Sequence, residues 1–348
     1  MEPNLFRIAT RGLAQDAFFT WLLQWADDTH KKRDQEISKV AKSFVRLLIG
    51  KGKSTSVRQV EVRKQWQHID MCVEVDNKYF IVIDDKMNTG GPSEEPEDVG
   101  LKAKDYAEEK GLELVSIYLQ TGNESQTRNT QIEEKGHTIV NRKAIIELLS
   151  SYTGDNEIFR EFKDYLDEIE HQTNQFSASG KITSDKRIAE GFFLELQNHM
   201  KEWYDWKYVS NRSGGYLGFW YFWKTLAYLG KQLYIQIDNN YLTGKVELTI
   251  RINNTNWNKK VPTTVLQQIF TEIRPLGERH GLTLRKPLQF RAGNTALLLM
   301  IDDVFHIDKD GRLDFDRFMD SLKRLENLID AYCESRRVRS YPMRRPVE

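Results

Sequence analysis

Three residues in this sequence have the types and spacing for phosphodiester chemistry: Asp70, Asp84 and Lys86. They fall in the run Ile69 to Lys86, IDMCVEVDNKYFIVIDDK. Successive side chains of a strand face opposite sides. Ile69, Met71, Val73 and Val75 therefore share one side, as do Tyr79, Ile81 and Ile83. A hairpin closed by Asp76-Asn77-Lys78 sets Val75 opposite Tyr79, Val73 opposite Ile81 and Met71 opposite Ile83, so its apolar faces match throughout. The same register sets Asp70 opposite Asp84 and His68 opposite Lys86. Two facing carboxylates repel, and a divalent cation relieves that repulsion. A few hard oxygen ligands suit Mg2+. Such an ion polarises a phosphoryl oxygen and acidifies a bound water. An ammonium two residues along the strand is placed to orient that water or offset charge in the transition state. His68 receives no role, because a lone histidine is more often structural.

The elements that must position these residues are legible as patterns. Leu13 to Ala26 reads as a mostly buried helix, with Asp16, Thr20, Gln24 and Asp27 as a narrow polar stripe. A helix is expected over Gln35 to Ile49, followed by strands at Ser56–Arg63, His68–Val75 and Tyr79–Lys86. Leu101–Lys110 reads as a helix stopped by Gly111, and Leu114–Leu119 as a strand. Helices are expected at Arg142–Ser151 and Glu157–Glu170. Strands interleaved with helices imply a mixed sheet covered on its faces, an α/β class.

The pattern of Asp70, then Asp84-Asp85-Lys86, resembles the PD-(D/E)XK nuclease superfamily. The opening helix ATRGLAQDAFFTWLLQWAD is similar to the start of a prokaryotic subfamily of these nucleases, reading roughly E-L-x-x-x-x-F-L-x-W-L-L. The helix LKAKDYAEEKG and the following LVSIYLQTG resemble that subfamily's tyrosine-bearing helix and next strand. The resemblance covers residues 5–150 and implies a restriction-endonuclease-like mixed central sheet flanked by helices. It implies Asp70 and Asp84 as metal ligands, the Asp85 carbonyl as a further ligand, and Lys86 as the catalytic lysine. The expected cofactor is Mg2+, with Mn2+ as a substitute. Where the subfamily carries a Glu near Gly12, Asp16 or Gln15 must stand in; where it carries Gln-x-x-x-Tyr, this chain has Lys102 four residues before Tyr106. Asp16, Glu61 and Tyr106 are accessory candidates; a surface pair between Glu61 and Arg63 or Lys64 is the competing reading.

The net charge is zero, but its distribution is uneven: residues 1–180 hold seven more acidic than basic residues, and residues 181–348 the reverse. The seam lies in the Ser, Thr, Gln and Asn-rich segment His171–Lys186, expected to be a linker. The expected division is 1–177 as the nuclease-like domain and 178–348 as a basic α+β domain that binds nucleic acid or senses a trigger.

In the second half, a helix is expected at Lys186–Trp206, strands at Gln232–Asp238 and Lys245–Asn253, and a helix at Thr263–His280. A hairpin at Leu284–Arg291 and Ala296–Asp303 and a terminal helix at Asp314–Glu334 complete it. Five of the eight tryptophans lie in this half, interleaved with basic residues. Lys207, Arg212 and Lys224, together with Lys102, are the candidate nucleic-acid contacts. Most of these aromatics also suit a core. The arginine-rich tail SRRVRSYPMRRPVE suits phosphate or an acidic protein surface.

Only Cys72 and Cys333 are present, too few for a disulfide framework or a cysteine-built zinc site. No apolar run approaches the ~18 residues of a membrane span, and no secretory signal is read at the start. A cytoplasmic setting without membrane contact is expected. Asp308-Lys309-Asp310-Gly311 reads as a turn, since His306 and Arg317 occupy positions where a calcium loop needs Asp and Glu. The chain also lacks a phosphate-binding G-x-x-x-x-G-K-[ST] loop.

The function expected is a Mg2+-dependent nuclease acting on DNA in preference to RNA, in antiviral defence or restriction as stand-alone members of the type often are. A homodimer is compatible with the resemblance, although no heptad seam argues for one. The alternatives are a catalytically inactive nucleic-acid sensor on a nuclease-like core and a protein–protein adaptor.

Overall fold

The computed structural model describes residues 4–8, 13–52, 54–86, 97–182, 185–211, 214–255 and 259–337, with the backbone alone at 7, 8, 13, 85, 86, 97–99 and 337. The chain divides into two compact units, Met1–Gln172 and Thr173–Glu348.

In the first unit, α1 (Leu5–Ile8), α2 (Leu13–Gln24) and α3 (Gln35–Leu48) precede β1 (Val60–Trp66), β2 (Ile69–Val75) and β3 (Tyr79–Lys86). Then come α4 (Glu97–Lys110), β4 (Glu113–Gln120), α5 (Gln126–Glu134), β5 (Thr138–Asn141), α6 (Arg142–Leu149) and α7 (Glu157–Ser179). The strands form one sheet in the order β1-β2-β3-β4-β5. β1, β2 and β3 pair antiparallel, whereas β4 runs parallel to β3 and β5 parallel to β4. The unit is a mixed α/β fold.

One sheet face buries Met71, Val73, Val75, Ile81, Ile83, Ile117 and Leu119 against apolar residues of α2, α3, α6 and α7. The α3 stripe Ile37, Val40, Ala41, Phe44, Val45, Leu48 follows the helical period, and the Asp34 side chain caps its start by accepting from the Ile37 amide at 3.0 Å. The other face is narrower: Ala103 and Ala107 of α4 pack on Cys72, Phe80 and Val82.

Several boundaries differ from expectation. The β1–β2 connection is the two-residue turn Gln67-His68, both at positive φ, so His68 belongs to a turn and not to β2. That geometry usually selects Asn-Gly, which this sequence lacks. Neither α5 nor β5 was expected; their residues are mostly polar and carry no clear period. α7 runs through the expected linker to Ser179, because Thr173 and Phe176 are buried and continue its inward face. Gly180, at φ +68°, ends it. The division between units falls after Gln172, within this helix.

The second unit contains α8 (Lys186–Gln197), β6 (Tyr204–Val209), β7 (Tyr216–Leu226), β8 (Lys231–Asn240), β9 (Lys245–Asn254), α9 (Thr263–Arg279), β10 (Thr283–Arg285), β11 (Thr295–Asp302) and α10 (Phe315–Arg337). Its strands pair antiparallel in the order β10-β11-β9-β8-β7-β6. Residues such as Phe219, Ile235, Ile237, Leu248 and Ile250 pack with α8, α9 and α10 in one core. Helices gathered on an antiparallel sheet make this unit α+β.

The helix expected over Lys186–Trp206 ends at Gln197, and Trp206 is a core residue of β6 against Phe193. The run YLGFWYFW lies within β7. β10 stops at Arg285, ahead of Pro287, which has no amide to continue the ladder. The Asp308 segment is a turn, its carboxylate accepting from the Asp310 and Arg312 amides at 2.8 and 2.9 Å. Among the described residues, no helix is long and apolar enough to cross a membrane.

Candidate functional site

The β2–β3 ladder runs Val75↔Tyr79, Val73↔Ile81, Met71↔Ile83, the register read from the apolar pattern. Asp70 and Asp84 are the next residue on each strand, and both are half-buried. Alternation assigns them to the sheet face of Cys72 and Val82, the face that α4 covers. Asp85 and Lys86 are in β3, paired with Leu119 and Gln120 of β4. Their side chains lie outside the described residues.

β4 brings a second set of groups to the same end of the sheet. Tyr118 is the ladder neighbour of Asp84. Its hydroxyl donates to Glu124 at 2.6 Å, and the Arg128 guanidinium lies 3.7 Å from the other Glu124 oxygen. Burial first, then the Glu124 and Asp84 carboxylates, push the Tyr118 phenol far above its ordinary range, so it remains a proton donor. Gln120 donates to Asn129 at 3.1 Å. The sequence reading missed this group, because Glu124 and Arg128 lie in and beside α5. The available signal was Tyr118 itself, opposite Asp84 once β4 runs parallel to β3.

The opening helix reaches the same end. The Thr121 hydroxyl, just past β4, donates to the Gln15 carbonyl at 2.5 Å, and Gln15 is fully buried. Asp16 is only 9% exposed, so the expected polar stripe of α2 turns inward at its start. Arg142 secures the loop after β4: it donates to Thr121 O at 2.7 Å, to Asn123 Oδ1 at 2.9 Å and to Glu170 at 2.8 Å.

The other accessory candidates are engaged elsewhere. Arg63 donates to Glu61 at 2.9 Å and to the Tyr106 hydroxyl at 2.9 Å, and pairs with Glu74 at 2.7 Å. Tyr106 donates to Glu74 at 2.6 Å, which holds its phenol above the ordinary range. Glu74 is four residues from Asp70 along β2, about 13 Å at strand rise. Glu61 and Tyr106 thus belong to a structural network and not to the Asp70–Asp84 end. Cys72, between Asp70 and Glu74, is buried and its thiol is pushed up to about 12, which makes it unreactive.

Among the described residues no three His, Cys, Asp or Glu side chains gather as a metal cluster. The donor set nonetheless fits Mg2+, which one or two carboxylates hold while water and phosphate complete the octahedron.

Of the nucleic-acid candidates, Lys102 is half-buried on α4. Lys224 is paired with Glu202 at 3.2 Å and Asp330 at 3.4 Å, so its charge is already offset. Arg212 lies outside the described residues. Lys207 is exposed, with its ammonium 5.9 Å from the Trp220 ring centroid. Comparison with protein-family models, curated proteins and solved structures found no match to this chain.

Proposed function

We propose that this chain is a Mg2+-dependent nuclease with a restriction-endonuclease-like first unit, hydrolysing phosphodiester bonds in DNA in preference to RNA. The observation that carries the reading is the β2–β3 register, which sets Asp70 and Asp84 as successive residues on one sheet face beyond the Met71↔Ile83 pair. In this reading Asp70, Asp84 and the Asp85 carbonyl hold the ion. The ion would supply Lewis acidity toward the phosphoryl oxygen and lower the pKa of water. Lys86 orients the attacking water or offsets charge on the phosphoryl group. Glu124, held by Tyr118 and Arg128, would add a further carboxylate that orients water. A cytoplasmic role in restriction or antiviral defence accords with this activity.

The test is cleavage of plasmid DNA and labelled RNA by the purified chain in Mg2+ or Mn2+ against EDTA, with Lys86→Ala alongside. The expected result is metal-dependent cutting that Lys86→Ala abolishes. Equal behaviour of the two proteins overturns the catalytic assignment. Binding without cutting supports an inactive sensor, a reading favoured by Gly12 standing where the resembling subfamily carries Glu.

A further inference from the structure

The sheet of the second unit has a face that its helical core leaves to other use. A cleft of about 710 Å³ opens there, its lining including Lys207, Tyr216, Trp220, Trp223, Tyr234 and Gln236. That volume lies within the range of small-molecule sites.

Three features build this cleft. First, a bulge interrupts β7 between Tyr221 and Lys224, with Phe222 at φ +57°. A bulky residue in the left-handed region is strained. Tyr221 and Phe222 both face the core as a result, and Trp223 emerges on the same side as Trp220. Regular alternation would bury Trp223 instead. Its ring stacks on Tyr234, centroids 4.1 Å apart and planes at 16°. Second, Gly218 sits between Tyr216 and Trp220, where a Cβ would meet the Trp220 ring at 3.0 Å and the Tyr216 ring at 3.3 Å. A strand-interior glycine of this kind lets neighbouring rings lie down over the backbone. Third, the polar groups are ordered across the ladder. Lys207 faces Gly218, and Gly218 faces Asp238. Asp238 is occupied by Arg251 at 3.0 Å and Gln236 at 2.5 Å. Lys207 makes no ion pair among the described residues.

Aromatic faces, two glutamine side-chain carbonyls and an exposed ammonium are the complement of a nucleobase joined to a phosphate. The rings offer stacking, the glutamine side-chain carbonyls can accept from a base edge while their amides donate to Thr225 and Asp238, and Lys207 meets the anion. A cationic ligand is disfavoured, because the lining carries no carboxylate. A neutral sugar leaves Lys207 without a role. We propose that this cleft binds a nucleotide unit, free or within a single strand. The proposal is independent of the metal-site reading.

The test is tryptophan fluorescence of full-length Asp84→Asn protein in EDTA, titrated with adenosine 5′-monophosphate, adenosine, oligothymidylate and maltose. Saturable quenching by the monophosphate or the oligonucleotide is expected. Loss of one stacking ring in Trp220→Ala should weaken it about tenfold or more, with Trp220→Phe restoring most of the affinity. Lys207→Ala, a surface change that preserves folding, should weaken the monophosphate and leave adenosine unchanged. Affinity that grows with oligonucleotide length identifies a strand as the source; equal affinity for the monophosphate identifies the free nucleotide. The proposal is overturned if no phosphate-bearing ligand quenches at millimolar concentration, if maltose alone does, or if Lys207→Ala affects adenosine and its monophosphate alike.

Discussion

Tyr118 is the parallel-ladder neighbour of Asp84, and its hydroxyl is committed to Glu124 at 2.6 Å. A carboxylate from the loop after β4 is therefore held by a phenol that stays protonated and that neighbours Asp84 on the sheet. Residues that orient a metal site typically alter metal affinity or activity ten- to a hundredfold when changed. On the nuclease reading, Glu124→Gln should raise the Mg2+ concentration for half-maximal cleavage about tenfold. Tyr118→Phe should do so by a smaller factor. An unchanged Mg2+ titration in both variants removes Glu124 from the site.

Arg142 is predicted to be the largest single polar contributor to the first unit. Its guanidinium is buried and joins Glu170 of α7 to Thr121 and Asn123 beyond β4. Breaking a buried pair from one side costs about 3–5 kcal/mol, and partial exposure of Glu170 places this case toward the lower figure. Urea unfolding followed by far-UV circular dichroism should show Arg142→Ala lowering the midpoint of one transition. On the nuclease reading, cleavage should fall with it, because the Glu124 loop loses its anchor. A midpoint within error of wild type rejects this role.

On the nuclease reading, the Arg63–Tyr106–Glu74 network separates stability from activity. Tyr106→Phe removes two charge-assisted hydrogen bonds, the one donated to Glu74 and the one accepted from Arg63, each worth about 1.5–3 kcal/mol in general. It leaves Arg63 paired with Glu74 and Glu61. A lower melting temperature with an unchanged Mg2+ titration is expected. A shifted Mg2+ titration would instead restore Tyr106 to the metal site.

Asp27 ties the end of the opening helical segment to β1, accepting from the Thr29 amide at 2.9 Å, the Thr29 hydroxyl at 2.6 Å and the Val60 amide at 2.9 Å. Burial pushes its carboxyl up, but these donors outweigh burial and hold it below the usual 3.8. A carboxylate depressed on folding contributes stability above its unfolded pKa, and that contribution disappears as pH falls through the folded value. Asp27→Asn should therefore be about 1 kcal/mol less stable near pH 7, and the difference should vanish below the folded pKa. Melting curves from pH 7 to pH 2 check this; a difference that persists into acid contradicts the assignment.

The β2–β3 hairpin was legible because both partners are close in sequence and every alternate residue is apolar. A one-residue slip would set the apolar face of one strand against the polar face of the other. α3 and α9 were legible for the same reason at the helical period. The α5 segment was not, since its one buried residue, Ile132, leaves no stripe. Trp223 was not, because only the Phe222 bulge reveals that it leaves the core.

The sequence alone determined the local patterns: the β2–β3 register up to Met71↔Ile83, the apolar stripes, the acidic and basic halves. Local pattern suffices there because strand alternation and helical period act over a few residues. The tertiary structure decided which distant groups meet. It set β4 parallel to β3, bringing Tyr118, with Glu124 on its hydroxyl, next to Asp84 on the sheet, and sent Glu61 and Tyr106 to Arg63. It also gathered Lys207, Trp220 and Tyr234 from three strands onto one face. Such meetings depend on chain reversal and sheet order, which are settled by burial of the whole core and by no short stretch of residues.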